Sequence, residues 1–181
     1  MGQKTFFRYL LIIFILLSLL SSTEGEEDDL FSKIGVLQIN EKKNAPNFRL
    51  EDLKGRKIEL KNFRGKVIFL NFWATWCGPC KEELPSVETL YQQFKEKNFV
   101  FLTISVDYEG RKPVKEFIEK HRYTFPVLLD HKYETLDLYK VKGIPTTILI
   151  DKNKKMIGKA IGPRNWKNPE VVSLFNLLIE R

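Results

Sequence analysis

Between Lys66 and Trp73 the chain reads KVIFLNFW, almost wholly apolar and rich in β-branched and aromatic residues. That is the pattern of a strand buried on both faces. FVFLTISV, over 99–106, repeats it. Between the two, Val87, Leu90, Tyr91 and Phe94 fall at i, i+3, i+4 and i+7, the apolar stripe of a helix. Upstream, NFRLEDLKGRKIEL predicts short strands at Phe48–Leu50 and Lys57–Leu60, joined by a turn at Gly55 into a hairpin. Downstream, a turn at Tyr108–Lys112 leads to Pro113, which suits the first turn of a helix. The stripe of that helix is Val114, Phe117, Ile118 and His121, with the histidine expected to cover the core. FPVLLD predicts a short strand and KYETLDLYKV a short helix. PTTILID and KMIGKAIG are two strands joined tightly by KNK, and Val171, Leu174, Phe175 and Leu178 mark a C-terminal helix. Strands alternating with helices, closing on a hairpin, predict a layered α/β domain with a mixed sheet.

The first residues follow a different pattern. Lys4 and Arg8 precede an apolar run from Tyr9 to Leu17, which continues past Ser18 through Leu19 and Leu20. A positive start followed by an apolar stretch of about a dozen residues is the pattern of an export signal. Counted from Phe6 to Ser22 the segment has 17 residues, the lower limit for a membrane span. Residues 1–25 therefore read as a signal peptide or as a retained N-terminal membrane anchor. In both cases the acidic EEDD and everything beyond it cross the membrane, so the expected location is extracytoplasmic. Residues 26–44 are weakly patterned and read as a linker, with the folded domain over 45–181.

Composition adds little to this division. The 181 residues are 43% hydrophobic, ample for one medium domain with its own core. From Leu30 onward there are 28 Lys/Arg against 18 Asp/Glu, a balance of +10. The basic residues are interleaved with acidic ones, and no aromatic-plus-basic strip accompanies them. The charge reads as a solvated face, and no nucleic-acid partner is expected.

The whole chain has two cysteines, Cys77 and Cys80, with only Gly78 and Pro79 between them. A domain of this size does not need a staple, and a bond between them closes too small a loop to restrain the unfolded chain much. One CxxC offers two metal ligands where a structural zinc site wants four, and His121 and His131 have readier roles as a core cover and a solvated turn residue. Covalent haem attachment needs CxxCH, and Lys81 follows here. Neither a metal nor a cofactor is therefore expected. Reaction chemistry remains. Cys77 falls where a buried strand ends and a helix begins, and free N–H groups at a helix start favour thiolate over thiol. Thiolate is the attacking species in disulfide exchange, and Cys80, one turn further on, is placed to resolve the mixed disulfide.

WCGPCK after a strand, and GIPT before a late strand, resemble the thioredoxin superfamily over residues 45–181. APNFRLEDLKGRKIELKNFRGKVIFLNFWATWCGPCKEELP, the spacing to GIPTTILID and the export segment are most similar to the exported TlpA/ResA-type thiol–disulfide oxidoreductases. The resemblance implies a thioredoxin-like mixed central sheet flanked by helices, with an added N-terminal β-hairpin. It implies a cis peptide at Ile144–Pro145, with Ile144, Pro145 and Thr146 forming a loop that offers backbone groups to a substrate. Trp76, Gly78 and Pro79 would surround the reactive pair. The buried Asp that cytosolic thioredoxins carry six residues before the first cysteine is Asn71 here. Glu83, three residues after Cys80 on the same helical face, takes a position that is filled in the ResA-type pattern. It is expected to transfer protons or tune the thiol pKa. Gly-Pro stands where ResA-type proteins often have Glu-Pro, so the redox potential is not carried over.

The expected function is thus a protein thiol–disulfide oxidoreductase that uses a redox-active Cys77–Cys80 pair. The resemblance points to reduction of disulfides in exported proteins, apocytochrome c among them. It also implies an inner-membrane thiol electron donor, and membrane contact through the N-terminal segment where that segment is uncleaved. Three alternatives stand beside it: a dithiol oxidase of exported proteins, a non-catalytic membrane-tethered adaptor or metal carrier on the same fold, and a peroxiredoxin. A peroxiredoxin would need a PxxxTxxC pattern before its reactive cysteine.

Overall fold

The two apolar runs form the middle of one sheet. In the computed structural model, which describes Arg8 and residues 25–41 and 43–181, they are β4 (Val67–Trp73) and β5 (Phe99–Ser105), paired in parallel from Val67 and Phe99 onward. Every residue of β4 is buried, which explains why its sequence shows no polar alternation. The other strands are β1 (Leu37–Gln38), β2 (Arg49–Asp52), β3 (Lys57–Glu59), β6 (Val127–Leu129), β7 (Thr146–Ile150) and β8 (Met156–Ile161). The sheet runs β1-β8-β7-β4-β5-β6-β2-β3. β4, β5 and β6 are parallel, and all other neighbours are antiparallel.

Helices form over residues 25–33 (α1), Gly78–Phe94 (α2), Arg111–His121 (α3), Glu134–Leu138 (α4) and Pro169–Glu180 (α5). This is the thioredoxin-like mixed sheet flanked by helices that the sequence implies. The hairpin of β2 and β3 turns at Gly55, whose φ of +80° suits a residue without Cβ, and extends the sheet beyond β6. The core is strongly aromatic: Phe69, Phe94, Phe99, Phe101, Phe175 and Trp166 meet in edge, tilted and stacked contacts with centroids 4.8–6.2 Å apart.

Two expectations are corrected. The sequence reading places a linker over 26–44, but α1 and β1 lie there and belong to the fold. Leu30, Phe31, Ile34 and Val36 are buried in the common core, and β1 pairs with β8. Buried Glu27 makes an ion pair with Arg181 of the C-terminus. The second concerns His121, which is exposed. Its ring packs against Phe117 and Tyr123, with Nδ1 2.9 Å from the Phe117 carbonyl oxygen. It is the last residue of α3, one turn beyond Ile118, the last buried residue of the stripe.

The predicted export signal or anchor falls outside the described residues, except for Arg8 and Gly25. Among the described residues no helix is long and apolar enough to cross a membrane.

Candidate active site

β4 ends at Trp73, and four residues later Cys77 is the N-cap of α2. Its φ and ψ, −80° and 110°, are extended, and its sulfur accepts from the Cys80 N–H at 3.2 Å. Pro79 stands in the first turn, where its missing N–H leaves no helical bond unmade. Cys77 and Cys80 are joined by a disulfide with Cα atoms 5.3 Å apart. The two are not equally enclosed: Cys77 keeps 6% of its surface and Cys80 none. Any incoming partner therefore meets Cys77 first.

The loop before β7 closes the other side. Ile144–Pro145 is cis, and Cys77 Sγ lies 3.7 Å from the Ile144 carbonyl oxygen. Thr146 donates from its hydroxyl to Gly143 O at 2.7 Å, which ties the loop across the proline. Trp76 is 58% exposed next to the disulfide, so it is not a core residue. The structure thus brings Cys77 against the Ile144 carbonyl, at the start of the loop that runs through Pro145 to Thr146.

Glu83 lies one turn beyond Cys80 and is buried, with 3% of its surface left. Burial pushes its carboxyl group up to about 7, against the opposing effects of the Trp166 N–H, the Arg164 charge and the Asn71 side chain. Such a group exchanges its proton near neutral pH. Asn71 donates from Nδ2 to Thr147 Oγ1 at 2.9 Å and carries no ionisable group. Beside Glu83 is a cleft of about 340 Å³, lined by Glu82, Pro85, Ser86, Arg164 and Lys167 among others. A larger cleft of about 420 Å³, between Arg49, Tyr108, Arg111 and His131, contains none of the predicted site residues.

Two residues were missed from sequence. Asp107, buried just after β5, accepts from Thr75 N, Thr75 Oγ1 and Ser105 Oγ. Its place at the carboxyl end of a parallel strand, the edge where α/β sheets gather their sites, was the available signal. Trp166, fully buried, donates from its indole nitrogen to Glu83. The signal there was a lone aromatic in the polar stretch PRNWKNP.

A CxxC capping a helix, facing a cis-proline loop at the end of a mixed sheet, defines a thiol–disulfide oxidoreductase of the thioredoxin superfamily. Known proteins agree. The AhpC/TSA family model matches residues 42–158. The chain is 44% identical over 128 residues to a thiol-disulfide oxidoreductase ResA of Bacillus cereus, covering 71% of this chain and 73% of that protein. With ResA of Bacillus subtilis (strain 168) it is 41% identical over 128 residues, 71% of each chain. Among solved structures, one assigned as thiol:disulfide interchange protein DsbE from Chlorobium tepidum superposes with TM-score 0.70 at 30% identity, covering 78% of this chain and 99% of that one. StoA from Bacillus subtilis gives 0.61 at 28% identity, covering 73% and 96%. The chain belongs to the AhpC/TSA family and, within the thioredoxin superfamily, to the thiol–disulfide oxidoreductases related to ResA. It does not carry the peroxidatic pattern: aligned on Cys77, the Pro and Thr of PxxxTxxC fall on Leu70 and Ala74.

Proposed function

We propose that this enzyme is exported and reduces disulfides of extracytoplasmic proteins, with Cys77 as attacker, Cys80 as resolver and Glu83 as proton-transfer group. The observation that carries the reading is the disulfide itself, capping α2 beside the Ile144 carbonyl, with the less enclosed sulfur on Cys77. The helix start favours a thiolate there once the pair is reduced. That thiolate attacks one sulfur of a substrate disulfide. A mixed disulfide forms, and the other substrate sulfur leaves as a thiolate that takes up a proton. Cys80, its proton passed to Glu83, then attacks Cys77 Sγ. The substrate's second sulfur is released and protonated, and the Cys77–Cys80 disulfide re-forms. Two electrons pass from the dithiol to the substrate, and a membrane thiol donor restores the dithiol. The backbone of the Ile144–Thr146 loop holds the substrate chain during the exchange.

ResA-type relatives support exported proteins as the substrate class, with apocytochrome c as one member. Lys4 and Arg8 ahead of the apolar run support export, with the domain on the outer side of the cytoplasmic membrane. A measured reduction potential near about −270 mV favours the reductase, and one near about −120 mV favours the dithiol oxidase. The decisive experiment follows the redox state of Cys77 and Cys80 in intact cells, with and without the membrane donor. A pair that stays oxidised in both cases overturns the reductase reading.

A further inference from the structure

Glu83 is not held by its own helix. The indole of Trp166 donates to it from a loop over 162–168 far along the chain, and the Asn71 side chain of β4 acts on the same carboxyl group more weakly. Both side chains are buried, Trp166 completely. The loop is pinned to α2 at the turn that carries Glu83. Trp166 N donates to Ser86 Oγ at 3.1 Å, and Ser86 Oγ lies 2.7 Å from the Glu83 carbonyl oxygen, to which it donates. The indole ring is fixed in turn by Phe69 of β4, edge to face at 4.9 Å. A buried N–H with a rigid ring behind it has one direction to point, and a carboxyl group stands there.

We propose that Trp166 is a positioning residue of the active site: its indole N–H holds the Glu83 carboxyl group in place for proton exchange with the Cys77–Cys80 pair. The proposal rests on the reading of Glu83 as the proton-transfer group. It adds the 162–168 loop, which the CxxC and cis-proline motifs do not include, to the redox machinery. The bond distinguishes the two forms of Glu83. An N–H donor is a better partner for a carboxylate than for a carboxylic acid, so it draws Glu83 towards the ionised form against the effect of burial. The other charged groups around Glu83 are Arg164, which acts in the same direction, and Glu82 and Lys167, which line the same cleft. None of these holds the carboxyl group by a hydrogen bond.

The test is the pH profile of Cys77 alkylation in the reduced full chain, from about pH 5 to 9, for the parent, Trp166→Phe and Glu83→Gln. Phenylalanine keeps an aromatic ring in the site and removes the donor together with part of the ring volume. The expected result is a step in the parent, additional to the one from ionisation of Cys77 itself, that Glu83→Gln abolishes and Trp166→Phe moves up by about one to two pH units, the size of a hydrogen bond to a charged group. If Glu83→Gln abolishes the step and Trp166→Phe overlays the parent, the Trp166 proposal fails and the Glu83 reading stands. If Glu83→Gln also overlays the parent, both fail. A tryptophan serving only as core filling lowers the melting temperature of Trp166→Phe and leaves the step in place, which is again failure. Should Trp166→Phe not fold, the parent decides by NMR. The sequentially assigned Trp166 Nε1–H resonance is expected to move with pH at the midpoint of the step, and a resonance that does not move overturns the proposal.

Discussion

Asp107 accepts the backbone N–H of Thr75 at 3.0 Å and the Thr75 hydroxyl as well, so the turn leading into Cys77 is held from the end of the neighbouring strand. Ser105 Oγ donates to the same carboxylate at 2.7 Å. A carboxylate is well suited to this task because it accepts several bonds without needing to donate. Removing it leaves buried donors unmatched, which costs more than the bonds themselves contribute. Asp107→Ala is therefore expected to lose about 2–4 kcal/mol of stability and to slow Cys77 alkylation in the reduced protein. Asp107→Asn, which keeps one acceptor, is expected to lose less than half of that. Urea unfolding of the three proteins checks the first part and alkylation rates the second. Equal losses for Ala and Asn would show that charge, not anchoring, is what Asp107 supplies.

The unequal enclosure of the cysteines sets a second expectation. With Cys80→Ser the first attack proceeds and the resolving step does not, so mixed disulfides to partner proteins persist. With Cys77→Ser the remaining thiol is fully buried, and few adducts form. Non-reducing gels of cells carrying each variant read the difference. Adducts mainly on Cys77→Ser would exchange the assignment of attacker and resolver.

Glu83 gives a pH dependence whose sign is fixed. Its folded-state carboxyl group lies near 7 and its ordinary value is 4.5. Between these values the folded chain holds a proton that the unfolded chain has released. Stability therefore falls as pH rises from about 4.5 to about 7, and the full cost, on the order of 3 kcal/mol, is present above that. Glu83→Gln has no charge to bury. The oxidised variant is expected to match the parent in stability near pH 5 and to exceed it at pH 8. Urea unfolding at both values is the measurement, and a variant less stable than the parent at pH 8 would contradict the burial argument.

What could be read from sequence followed periodicity and local motifs. The apolar runs of β4 and β5, the stripe of α2 and the CxxC with its later Gly-Ile-Pro-Thr each announce themselves within a few residues. The missed features are long-range. Trp166 and Glu83 are 83 residues apart, and Asp107 and Thr75 are 32 apart. Nothing local in PRNWKNP or VDYEG states what they will touch. The stretch over 26–44 reads as a linker for a related reason. Leu30, Phe31, Ile34 and Val36 do hold a buried face, but EEDD directly before them and two strand residues after them hide its period.

One glycine makes that N-terminal docking testable. A Cβ built on Gly158 of β8 would stand 2.6 Å from Phe31 Cε1 and 2.9 Å from Val36 Cγ1, closer than side-chain atoms tolerate. β8 thus stays bare where Phe31 of α1 and Val36, just before β1, pack on it. Both contacting atoms belong to buried, well-packed side chains, so neither moves aside cheaply. Gly158→Ala is expected to cost about 1–3 kcal/mol by overpacking. The loss falls on one segment, because the added Cβ meets Phe31 and Val36 and the cysteine pair is held by other elements. Limited proteolysis of the variant is expected to cut within 25–41 earlier than in the parent, with cysteine reactivity retained. A cleavage pattern like the parent's would mean that 25–41 contributes little to the fold, as the linker reading has it.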